Sequence, residues 1–199
     1  MSARLDQQFA FLLEAEKLKT VYRATSVHDL SRQENSGEHS WSLALYALVM
    51  ADHATPEVDP IRAIKMLLLH DLVEIDVGDV PIHSQGGAAH GAPEIIAAEH
   101  AAAERIFGLL PRDLRDEFHA IWHEFEAAET PTAIYAKSLD RVQPVLLNKL
   151  GGGGSWDDYD VTFAQVEERV GNKVARGLPH VWDWVKARIH PWFEARGRG

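Results

Sequence analysis

The stretch MLLLHDLVEIDVGDV, residues 66–80, sets His70, Asp71 and Glu74 among leucines. Desolvating an isolated carboxylate is costly, so acids in an apolar helical run need a partner, and a bound cation is one candidate. Residues three and four apart share a helix face, which puts His70 over Glu74 and Asp71 near it. Charged residues on one arc ordinarily form a solvated stripe, but the flanking MLLL and LVEI leave little room for one. Two residues of matching chemistry stand elsewhere: His39 in RQENSGEHSW and Asp140 in AIYAKSLDRVQPVLLN. Taken singly, His39 is explained by a helix start and Asp140 by pairing with Arg141 or Lys137. Taken with His70 and Asp71, they make a His, His, Asp, Asp set suited to one divalent first-row metal with positions left for water and substrate. Such ligands accommodate cobalt, manganese, nickel, iron or zinc, in preference to magnesium.

A second spacing of this kind is His119 and His123 in EFHAIWHEFE, four apart and so on one helical face. No third ligand is evident and the HExxH glutamate is missing, so the pair reads as a solvated face. His83 and His90, in the loop IHSQGGAAHGAP, are within reach of a substrate by position, though loop histidines mostly face water.

The elements that position these residues read as helices. The first segment places Leu5, Phe9, Leu12 and Leu13 at helical spacing. SWSLALYALVMADHA is apolar around much of its circumference through Leu43, Leu45, Ala47, Leu48 and Val49, which predicts a buried central helix. Asp59 and Pro60 mark the start of the helix that carries Ile61, Ile64, Leu67, Leu68 and the His-Asp pair. Pro131 marks another start, and Pro144 predicts a kink or early end. GGGGSWDDYD is the clearest break, a flexible turn or hinge by composition. No convincing strand pair is visible. The expected architecture is all-α in one domain over residues 1–199, with 155–199 as a C-terminal helical extension on the same core.

The 199 residues carry no cysteine, which excludes disulfides and thiolate metal sites. A net charge of −10 without a Lys/Arg cluster disfavours a nucleic-acid polymer as partner. No apolar run is long enough for a bilayer, and no signal-peptide core is present, so a soluble cytoplasmic protein is expected.

The order His39, His70-Asp71, Asp140 resembles the HD-domain metal-dependent phosphohydrolase superfamily. The similarity extends through ENSGEHSW, LLLHDLVEIDVGD, AAAERIFGLLP, ETPTAIYAKSLDRVQPVLLN and GSWDDYDV, and is closest to the small hydrolase branch that includes bacterial 5'-deoxynucleotidases. The resemblance implies an HD-domain helical bundle, usually a homodimer. It also implies one metal held by His39, His70, Asp71 and Asp140, and removal of phosphate from deoxynucleoside 5'-monophosphates. It puts Glu74 and Asp79 beside the reacting phosphate and the sugar, and likens Arg23, in LKTVYRATS, to a phosphate-holding arginine. The deoxynucleotidases tend to follow that arginine with tryptophan, where this chain has Ala24, which bears on substrate choice. The rival readings are hydrolysis of another small phosphate ester, and a noncatalytic metal-containing module that binds nucleotides.

Overall fold

Helix-start chemistry sets several element boundaries in the computed structural model, which describes residues 3–87 and 91–199. Helix α1 spans Ala3–Ala15. Asn35 and Glu38 close a reciprocal capping box at the start of α2, Ser36–Val49. The Asp59 carboxylate accepts from the Ile61 and Arg62 amides, and Pro60 opens α3, Pro60–Leu69. A 3₁₀ turn, His70–Val73, and the short α4, Glu74–Val77, follow directly. Helices α5, Pro93–Phe107, and α6, Arg112–Ala127, come next. Thr130 caps α7, Pro131–Leu150. The C-terminal part holds α8, Ser155–Asp158; α9, Phe163–Val166; a π turn, Glu167–Gly171; α10, Asn172–Gly177; and α11, Pro179–Glu194.

Helix α3 packs against α2, α6 and α7, so the His-Asp segment leaves the centre of the bundle. Met66 and Leu67 meet a core that includes Leu43, Ala47, Ile121, Trp122, Tyr135 and Leu139. Helix α10 lies on α7, and α11 on both. Trp156, Trp192 and Phe193 join that end through ring contacts of 4.7–5.2 Å.

Three expectations need correction. A strand pair exists: β1, Tyr22–Ser26, runs antiparallel to β2, Gln33–Asn35. Five and three residues are too few for alternation to register in sequence, and the pairing rests on a chain reversal between them. Helix α2 is not buried all round, because Leu43 and Ala47 are fully covered while Trp41, Leu45, Leu48 and Val49 are exposed. Helix α1 forms where the spacing of Leu5, Phe9, Leu12 and Leu13 predicts it, with those four side chains exposed and Phe11 its buried residue. Of the two outcomes read for Pro144, the early end does not occur: α7 runs on to Leu150, and the proline leaves the Asp140 carbonyl without its usual amide partner.

The four glycines build a fixed corner. Gly152, Gly153 and Gly154 all have positive φ, and the Trp192 indole donates to the Gly152 carbonyl at 3.1 Å. A Cβ on Gly153, at φ +141°, would lie 2.7 Å from Trp192. Gly153→Ala is therefore expected to cost about 2 kcal/mol or more, from backbone strain plus overpacking. Urea unfolding checks this, and an unchanged midpoint would contradict it. His90 lies outside the described residues. No helix among the described residues is long and apolar enough to cross a membrane.

Candidate metal centre

Five elements converge on one cluster. The capping box starts α2 so that His39 falls within its first turn, fully buried. Chain tightening into the 3₁₀ turn at the end of α3 places His70 and Asp71 side by side, both buried. This differs from a single continuous helix, and Glu74 opens the following short helix. Asp140 comes from the middle of α7, and Arg23 from β1.

Both imidazoles are oriented by their Nδ1 atoms. His39 Nδ1–H donates to the Gln143 side-chain oxygen at 3.1 Å, and His70 Nδ1–H donates to the Leu67 carbonyl at 3.0 Å. When the rings are neutral, the Nε2 atoms then carry lone pairs directed at carboxylates. His39 Nε2 lies 3.1 Å from Asp140 Oδ1; His70 Nε2 lies 2.9 Å from Asp71 Oδ1 and 3.8 Å from Asp140 Oδ1. His70 Nε2 is buried and has no well-formed hydrogen bond among the described residues. Ligand atoms of His39, His70 and Asp71 all lie within 4.8 Å of one another.

Lone pair facing carboxylate is repulsive unless positive charge lies between them. Burial disfavours the His70 imidazolium, yet Asp71 and Asp140 outweigh it and push the His70 pKa up to about 10. The same attraction acts on a divalent cation, and two imidazoles with two carboxylates are a donor set that such an ion takes. The residues therefore fit a metal. Gln143, which also donates to buried Glu34 at 2.8 Å, and the Leu67 carbonyl orient the two rings as partners of metal-binding histidines commonly do.

Arg23 sits at the edge of the cluster, among acids. Its guanidinium lies 3.1 Å from Asp71, 3.3 Å from Asp79, and 3.8 Å from both Glu74 and Glu34. Burial works against the charge, yet Asp71, Asp79 and Glu74 hold its pKa above the ordinary value. Ser36 donates to Glu74 at 2.5 Å. Burial and the nearby Asp71 carry the Glu74 carboxyl well above its usual range against the pull of Arg23. Asp79 shifts the same way, chiefly through burial. Arg23, His70, Asp71, Glu74, Asp79 and Asp140 line one cleft of about 1030 Å³, counted to its open mouth.

Sequence reasoning missed Glu34, Ser36 and Gln143. Each is an ordinary polar residue whose role depends on a partner between 38 and 109 positions away, and no local pattern signals that. His83 also lines the cleft and is buried rather than facing water. Arg169 donates to its Nδ1 at 3.1 Å, and burial with that cation lowers its pKa to about 4.

Comparison with known proteins gives a consistent picture. The HD-domain family matches residues 15–182. The human 5'-deoxynucleotidase HDDC2 is 31% identical over 139 residues, covering 68% of this chain and 64% of that protein. A 5'-deoxynucleotidase from Erwinia tasmaniensis is 29% identical over 176 residues, covering 85% of this chain and 87% of the other. The chain spans just under two thirds of the length of the human, mouse and cattle relatives. In structure it is similar to a predicted metal-dependent phosphohydrolase from Magnetospirillum magnetotacticum, with a TM-score of 0.90 and 39% identity over 99% of this chain and 98% of that one. A Pyrococcus horikoshii protein, 21% identical with a TM-score of 0.66 over 90% of this chain and 99% of its own, shares the fold.

Proposed function

This chain belongs to the HD-domain family of metal-dependent phosphohydrolases, and from that premise we propose that it removes phosphate from deoxynucleoside 5'-monophosphates. The observation that carries this reading is Arg23, a half-buried cation held 3.1 Å from Asp71 and 3.3 Å from Asp79 at the edge of the imidazole and carboxylate cluster. A phosphate monoester resists attack because it is anionic, so its hydrolysis needs charge neutralisation and an activated water. We assign His39, His70, Asp71 and Asp140 as the ligands of one divalent transition metal, which when bound supplies Lewis-acid charge and lowers the pKa of a water.

The remaining steps fall to protein groups. Arg23 binds the phosphoryl oxygens through charge-assisted hydrogen bonds, exchanging part of its carboxylate contacts for the substrate's. Glu74, oriented by Ser36 and with a raised pKa, moves the proton between the attacking water and the leaving alkoxide. Asp79 accepts a hydrogen bond from a sugar hydroxyl. The C-terminal segment, through Trp156, Tyr159 and Val170, supplies part of the cleft wall, which supports treating residues 1–199 as one working unit.

A panel of ribo- and deoxyribonucleoside 5'-monophosphates tests the substrate. The expected result is a kcat/KM at least about tenfold higher for the deoxy series, the discrimination worth about 1.4 kcal/mol at one hydroxyl. A second reading, hydrolysis of another small phosphate ester, is favoured by Ala24, whose methyl leaves that part of the cleft wall small. Preference for a non-nucleotide ester in the same panel would move the assignment there.

The proposed assembly is a homodimer. Helix α2 presents an exposed stripe of Trp41, Leu45 and Leu48, and α3 beside it exposes Ile61 and Leu68. Apolar stripes of this kind mark interaction surfaces. Light scattering is expected to give twice the chain mass, and Leu48→Glu to give the monomer with unchanged circular dichroism. A monomeric wild type at tens of micromolar would contradict this.

A further inference from the structure

The pair His119 and His123 on α6 lacks a third ligand only when read along the chain. Across the helix interface, α5 supplies a second pair of the same spacing, His100 and Glu104. The rings of His100 and His123 lie 5.3 Å apart between centroids, and those of His119 and His123 lie 5.9 Å apart. His119 Nε2 is 3.7 Å from a Glu104 carboxylate oxygen. For comparison, the rings of His39 and His70 are separated by 5.9 Å. Two imidazoles sharing one tetrahedral ion at about 2 Å from each nitrogen have centroids about 5 Å apart, so both pairs stand close to that spacing.

The His119 side chain is 14% exposed, and neither of its ring nitrogens makes a hydrogen bond among the described residues. Buried polar nitrogens without partners are uncommon and call for one. Burial lowers the pKa of this imidazole, which keeps a lone pair available. His100, His123 and Glu104 are exposed, which leaves the cluster open to an ion from solvent. None of the four residues lines the catalytic cleft.

We propose that His100, His119 and His123, with Glu104, form a second metal site that binds a zinc-class divalent cation and ties α5 to α6. Three imidazoles and one carboxylate suit zinc, nickel or copper and are poor ligands for magnesium or calcium. The donors of these four residues do not yet stand within 4.8 Å of one another as those of His39, His70 and Asp71 do, so binding requires the exposed His100 and His123 side chains to rotate toward His119. The site has a physical route to the first centre. Trp122 contacts His100 at 5.2 Å and His123 at 5.1 Å, and its indole N–H donates to the His70 carbonyl at 3.3 Å.

Equilibrium dialysis of the full chain against micromolar zinc, with bound metal counted by atomic absorption, tests the proposal independently of any substrate. The expected stoichiometry is two ions per chain for wild type, one for His100→Gln/His123→Gln, and one for Asp71→Ala/Asp140→Ala. Two ions retained in the first variant would overturn it, as would none in the second. Failure of the catalytic ligand assignment would instead leave the Asp71 and Asp140 variant with two. Should either variant not fold, mapping of diethyl pyrocarbonate modification on the wild-type protein decides. Zinc is expected to protect His100, His119 and His123, and equal modification with and without zinc would overturn the site.

Discussion

Asp71→Ala is expected to lower kcat/KM for deoxynucleoside 5'-monophosphates by about 10³-fold or more. A bound divalent ion supplies several kcal/mol of transition-state stabilisation, and each 1.36 kcal/mol is about tenfold in rate. Asp71 also keeps Arg23 in place at 3.1 Å, so phosphate positioning suffers together with metal binding. The fold should persist, because Arg23 retains Asp79 at 3.3 Å and the leucine core of α3 is untouched. The check is a set of single-turnover rates at saturating metal, beside a thermal melt. Wild-type rates in a folded Asp71→Ala protein would remove the ligand assignment.

Glu74→Gln is expected to lower kcat by about 10²-fold or more through loss of proton transfer, with little change in metal content. Its effect on stability should run the other way. Burial and the neighbouring Asp71 raise the Glu74 pKa in the folded protein above its unfolded value. The folded state then holds more protons than the unfolded state between those two values, so the metal-free protein loses stability as pH rises through that window. Glutamine keeps an acceptor for the Ser36 hydroxyl at this position and cannot ionise. The metal-free variant should therefore match the wild type at low pH and exceed it above the raised pKa. Such a trade of stability for activity is expected of a catalytic carboxyl and not of a structural one. A variant that turns over normally, or that is less stable at neutral pH, would contradict the assignment of Glu74 as the proton carrier.

Three of the four proposed ligands were legible because their residue types conflict with their surroundings: His70 and Asp71 stand in a leucine run and Asp140 in a largely apolar helix, and charge in such places asks for a partner. His39 stands in the polar RQENSGEHSW and was legible only together with the other three and through the family resemblance. The helical architecture was legible from periodicity, with starts marked by Asp59, Pro60 and Pro131. What could not be read is what depends on distant contact. Glu34 and Gln143 look like ordinary polar residues until α7 brings Gln143 between Glu34 and His39. Arg23 stands out only by resemblance, since its strand is five residues long and its pairing register is irregular. The exposed stripe of α2 reads as core because sequence hydrophobicity cannot distinguish a face covered by the same chain from a bare one. His119 and His123 were visible as a spaced pair, but their partners arrive on α5, and no spacing along one chain reports the packing of two helices.

The most direct test of the central claim is phosphate release from deoxynucleoside 5'-monophosphates by chelator-stripped protein, before and after adding back cobalt or manganese, with Asp140→Asn in parallel. The prediction is background release when stripped, full recovery with metal, and no recovery in the variant. Turnover that persists without metal, or that recovers equally in Asp140→Asn, would contradict the claim that this cluster holds the ion that drives the hydrolysis.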